Sequence, residues 1–157
     1  MSMPAIRTQI KTILEGVTGI GVVHDYERWA KDWSQFLTFF KSGSVINGWT
    51  VTRTRTEERA LCGNQNEQVH VFVIRGYYAV DDSAATEKTF QDLIETIRTT
   101  FRTNYTLNGA CETTNPEWGS MAGKSGIQAD VIEPRMFFGV LCHYCELSLG
   151  AQELVDL

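Results

Sequence analysis

"VHVFVIRGYYAV", residues 69–80, is the stretch on which the fold turns. Apolar side chains fill both alternating sets of positions, Val69, Val71 and Val73 in one and Phe72 and Ile74 in the other. A strand with one wet side alternates apolar with polar, so a run apolar on both faces belongs inside a sheet. β-branched and aromatic residues favour the same extended backbone. Residues 69–80 are therefore expected to form a central strand.

Upstream lies "WTVTRTRTEER", residues 49–59, with a clean period of two. Trp49, Val51, Arg53 and Arg55 are expected on one face and Thr50, Thr52, Thr54 and Thr56 on the other. "LCGNQNEQ", residues 61–68, reads as a loop, so the two strands predict an antiparallel hairpin with a long connection. Downstream, "DDSAATEKTFQDLIETIRTTFR" spans residues 81–102 and reads as a helix. Asp82 or Ser83 can cap it, and Glu87 suits the positive end of the helix dipole. Phe90, Leu93, Ile94, Ile97 and Phe101 form its apolar stripe, and Arg98 and Arg102 lie towards the negative end.

Towards the N-terminus, Ser2 and Pro4 mark a helix start, and Ile6, Ile10, Ile13, Leu14 and Val17 recur at helical spacing. "GVVHDYERW" is extended, and residues 31–41 predict a second, shorter helix with Trp33, Phe36, Leu37 and Phe40 on one side. The last third reads as strands in "GACETT", "GIQADVIEPRMF" and "GVLCHYCELSL", with the polar loop "NPEWGSMAGKSG" between the first two. This order predicts an α+β fold, a mainly antiparallel sheet with helices packed on one face. The chain reads as one domain, 1–157, with residues 150–157 either an ordered extension or a flexible C-terminal tail.

The 157 residues are enough for one substantial core, and 43% hydrophobic with 21% charged residues is ordinary for a globular chain. No run approaches the ~18 apolar residues of a spanning helix, and the N-terminus lacks the apolar stretch of a signal peptide. Folding in a cytoplasm, away from a membrane, is the expectation. The net charge of −5 disfavours nonspecific nucleic-acid binding, which depends on cations displacing counterions.

Cys142 and Cys145 form a C-x-x-C that could hold zinc, cycle as a redox pair, or pack in a core. Within a strand, residues three apart face opposite ways and cannot readily share a metal or close a disulfide. Cys62 and Cys111 lie far off in sequence, and no helix follows the motif as redox chemistry would require. Core packing is the reading adopted, with a thiol or metal enzyme using Cys142 and Cys145 as the alternative. His24 and Asp25 diverge in an extended segment and no nucleophile is framed by a motif, so no catalytic residue, cofactor or metal is assigned. His70 and His143 read as hydrogen-bonded sheet histidines. Leu61, Trp118 and Met121 sit in polar connections, where large apolar residues are either contact anchors or parts of loops folded back on the sheet. Arg53 and Arg55 could meet phosphate or form a solvated edge. These five residues are the candidate subunit or partner interface.

Four segments together, "GVVHDYERW", "INGWTVTR", "FVIRGYYAVDDSAATEKTFQDLIE" and "VIEPRMFFGVLCHYCELSL", resemble small morphogenesis proteins of tailed phages and prophages. The likeness is to the tail terminator (tail completion) family of long-tailed phages and runs from about Ile6 to Leu149. It implies a non-enzymatic α+β subunit of a hexameric ring, acting in the virion neck after assembly in the host bacterial cytoplasm. Its partners would be further copies of itself, the tail tube protein and the head–tail connector protein. The ring would cap the tube, end its polymerisation and let DNA pass through an acidic lumen. Another head–tail joining or neck protein is the neighbouring reading. The family supplies no functional-residue motif to transfer.

Overall fold

The computed structural model describes all residues, Met1–Leu157. Helix α1, Met3–Glu15, is followed by the short strand β1, Val22–His24, and helix α2, Trp33–Phe40. Strands β2, Lys41–Ser42, β3, Val45–Cys62, and β4, Gln65–Ala79, lead to a short 3-10 turn, Asp82–Ala84, and helix α3, Thr86–Thr103. Strands β5, Gln128–Phe137, and β6, Val140–Asp156, complete the chain. The sheet order is β1-β3-β4-β6-β5, with β2 paired to the start of β3. Only β1 runs parallel to its neighbour; the other ladders are antiparallel. The α+β class expected from the sequence is the observed one, and β4 is its central strand. No helix is long and apolar enough to cross a membrane.

Local chemistry sets the helix ends. The Ser2 hydroxyl accepts a hydrogen bond from the Ala5 amide, and Asp32 caps α2 by accepting from the Gln35 amide. Asp81, rather than Asp82 or Ser83, anchors the entry to α3: its carboxylate accepts from Ser83 Oγ at 2.7 Å and from the Ala84 amide. Those bonds hold the Asp81 carboxyl below its usual range.

The sheet separates two cores. On one face, α1 and α3 bury Ile6, Ile10, Phe90 and Ile97 against Trp49, Phe72, Ile74, Cys145 and Leu147. Helix α2 departs from the expected one-face arrangement. It lies on the opposite face, where Phe36 and Phe40 pack with Ile46 and Cys142. Pleating gives the reason: Gly48 and Tyr77 are cross-strand partners one residue along from Trp49 and Gly76, so they face away from α1 and α3. This second face is called the outer face below.

Two further expectations are corrected. Residues 61–68 are not a long loop, because β3 and β4 continue to Cys62 and from Gln65 and are joined through Gly63 and Asn64 alone. "GACETT" is not a strand; only Thr113 bridges to Gln152, in a segment otherwise of turns and bends. Of the two readings of the C-terminus, the ordered extension is the observed one, since residues 150–156 extend β6 and pair with Gln65–Val71.

Candidate assembly interface

The five residues singled out in the sequence do not come together as one surface. Leu61 lies near the end of β3, exposed close to the hairpin turn rather than in a polar loop. Met121 is buried against Gly150 and does not act as an exposed anchor. Trp118 is half-buried under Arg59, whose guanidinium carbon stands 4.8 Å from its ring. The loop carrying both thus folds back on the outer face. It is pinned there by Glu57, which accepts from the Ser120 amide at 2.8 Å and from Ser120 Oγ at 2.7 Å. The backbone bond first, and the hydroxyl second, hold the Glu57 carboxyl below its usual range.

Arg53 and Arg55 do not share a face as the alternation predicted. Arg53 opposes Phe72 while Arg55 opposes Val71, with an irregularity between them. The extra residue, Thr54, is a β-bulge that reverses which way the following side chains point. Arg53 therefore lies on the helix side, and Arg55 on the outer face pairs with Glu57 at 3.3 Å.

The titratable groups raised by the sequence are tied into the fold. Cys142 opposes Ala79 and packs in the outer core, whereas Cys145 opposes Gly76 and packs under α1 and α3. The two thiols thus lie on opposite faces of the sheet, as the strand spacing implied. Burial pushes Cys145 up to about 12 and raises Cys142 as well. His70 is buried with both ring nitrogens bonded, Nδ1 to Thr56 Oγ1 and Nε2 to Glu153 Oε1, each at 2.8 Å. His143 Nε2 contacts Thr86 Oγ1 at 2.9 Å, and desolvation lowers its pKa. His24 Nε2 meets the Phe39 carbonyl at 2.7 Å, which ties β1 to α2.

A different apolar surface stands at one end of the molecule. Strands β5 and β6 are joined by Phe138 and Gly139, with φ of 51° and 82°. Two residues at positive φ make the tight turn whose twist suits a hairpin, and Asn-Gly is the sequence it favours. A phenylalanine in the first position is strained, because its Cβ crowds the backbone in the left-handed region. Around this turn Met136 is 62% exposed, Phe138 46% and Leu141 45%, with Val140 also exposed. Val45 and Val80 are exposed beside them, and a groove lined by Trp33, Leu37, Val45, Val80 and Leu141 runs into the patch.

The sequence reading missed this surface because "RMFFGVL" has the composition of a buried strand. The Phe-Gly pair at 138–139 was the available signal. It replaces the usual polar turn residue with an aromatic one. No protein-family model matches the chain, and no curated protein matches it.

Proposed function

We propose that this chain is a structural subunit of a ring of the tail-terminator kind, which caps a phage tail tube, ends its polymerisation and joins it to the head connector. The observation that carries the reading is the apolar end built on Phe138. An exposed aromatic side chain held in a strained turn, among Met136, Val140 and Leu141, is stabilised when another surface covers it. The four segments that resemble the terminator family include both strands of this hairpin.

A closed ring requires that one patch of each subunit meet a different patch on the next. The apolar end supplies one such patch, for a neighbouring copy or for the tube. The β5 edge is poorly suited to join copies by strand pairing. β5 carries Pro134, charged residues and an irregular register near Asp130, all of which discourage edge-to-edge pairing.

Light scattering coupled to size separation, over a range of concentrations, tests the proposal. The expected result is a discrete species of about six subunits, lost when Met136, Phe138 and Leu141 are replaced by serine. A wild-type chain that stays monomeric alone and also fails to associate with tube protein overturns it.

A further inference from the structure

The outer face holds a depression with a different chemistry from the apolar end. Arg75, Tyr77, Tyr144 and Arg135 line it from the sheet, and Arg28 and Trp29 line it from the segment between β1 and α2. With Phe137 and Glu27, the lining comes to three arginines, four aromatic residues and one carboxylate; arginine and aromatic residues are enriched where proteins bind one another tightly.

The three arginines differ in what already holds them. Arg75 donates to Glu27 at 3.2 Å and lies 3.8 Å from Glu146. Arg135 donates to Glu133 and lies 4.2 Å over the Tyr144 ring. Arg28 has no carboxylate partner among the ion pairs. Instead its guanidinium carbon is 3.9 Å from the Phe39 ring centroid, and its Nη1 donates to Tyr26 Oη at 2.8 Å. Stacking fixes the plane of the group and leaves most of its N–H donors unused. A guanidinium held in this way is preorganised for a two-point hydrogen bond to a carboxylate. Trp29, beside it and 80% exposed, offers an apolar wall.

We propose that this depression docks an acidic side chain of a partner polypeptide, with the carboxylate on Arg28 and an adjoining apolar residue against Trp29. The anion is a single carboxylate rather than a nucleic-acid backbone. Glu27 and Glu146 lie against Arg75, and Glu133 against Arg135, so Arg28 is the one lining arginine without a carboxylate, enough for a single carboxylate and too little for a run of phosphates on a chain of net charge −5. The proposal does not depend on the ring.

The test is an NMR titration of the full chain with the blocked dipeptide N-acetyl-Phe-Asp-amide, its Phe-Asn counterpart and a short oligothymidylate. The Trp29 indole N–H and Arg28 Nε–H signals are the readout. The expected result is a saturable shift with the aspartyl probe, of Kd on the order of 1 mM, and binding at least about tenfold weaker with the asparaginyl probe. Arg28→Gln is expected to abolish the Trp29 shift while the rest of the spectrum stays folded, and Arg28→Lys to weaken it by losing the two-point contact. Trp29→Ala should leave a weaker, still carboxylate-dependent response at Arg28. Equal binding of the two dipeptides, no saturable shift, or tighter binding of the oligothymidylate each overturns the proposal.

Discussion

Gly76 sits directly opposite Trp49 across the β3–β4 ladder, and the absence of a side chain at Gly76 is what lets the indole lie flat on the sheet. A Cβ at Gly76 would stand 2.6 Å from Trp49 Cη2, inside contact distance. Trp49 is fully buried, and its Nε1 donates to Asn47 Oδ1 at 2.8 Å, while Asn47 Nδ2 donates to the Gly19 carbonyl. The ring cannot shift without breaking the link between β3 and the turn after α1. Gly76→Ala is therefore expected to destabilise the fold by about 1–3 kcal/mol, read as a lower urea midpoint with unchanged slope. On the other face Gly48 gives Phe40 the same room, so Gly48→Ala should fail in the same way through α2.

The His70–Glu153 pair predicts a non-additive response. Both side chains are buried, and they join β4 to β6 through the 2.8 Å contact. Glu153→Leu alone leaves a buried ring nitrogen of His70 without its hydrogen-bond partner and is expected to cost about 1–3 kcal/mol. Replacing both His70 and Glu153 with leucine removes the stranded partner and should cost less than the sum of the single changes. A double-mutant cycle by urea unfolding measures the difference, and strictly additive costs would refute the coupling.

The central strand, the amphipathic helices and the antiparallel pairing were legible because each rests on periodicity. What escaped depended on single residues that change direction. Thr54 inserts one position and turns Arg55 away from Arg53, which a count by twos cannot reveal. Gly63 and Asn64 close a hairpin within a polar stretch that composition alone assigns to a loop. Met121 is buried because its loop crosses the outer face, and that depends on a long-range bond between Glu57 and Ser120. The apolar end was hidden for the opposite reason: Met136 to Leu141 carry core composition at a place where the chain turns back.

The loop pin sets a pH dependence. The Glu57 carboxyl is held below its ordinary value of 4.5, mainly by the Ser120 amide. A depressed carboxyl stabilises above its unfolded pKa and loses that contribution as pH falls through the lower, folded value. Hydrogen exchange at Ser120 should thus stay slow near neutrality and quicken relative to the sheet in acid below that range. Glu57→Gln should show the faster loop exchange already at neutral pH, and a Ser120 amide indifferent to this substitution would refute the pin.

Thiol reactivity separates the cysteines. Cys62 is exposed, whereas Cys111, Cys142 and Cys145 are buried. Desolvation pushes Cys111 up to about 12, as it does Cys145, so neither offers an appreciable thiolate near neutral pH. One thiol of the native chain is expected to react rapidly with an aromatic disulfide reagent, and Cys62→Ser should remove that reaction. Rapid modification of Cys142 or Cys145 in the folded chain would revive the thiol chemistry that their spacing first suggested.

Phe138 yields the prediction that best distinguishes an assembly role from a merely unfavourable turn. At φ 51° the phenylalanine bears a cost that asparagine, which tolerates the left-handed region, largely avoids. Its ring lies 6.0 Å from that of Phe36 and remains 46% exposed, so contacts within the chain offset the strain only in part. Phe138→Asn should stabilise the isolated subunit by up to about 1 kcal/mol, seen as a higher urea midpoint, while shifting mass in light scattering towards the monomer. The opposite signs are the diagnostic feature. A variant that is more stable and assembles unchanged leaves Phe138 without an interface role. One that loses stability shows that packing on Phe36 outweighs the strain.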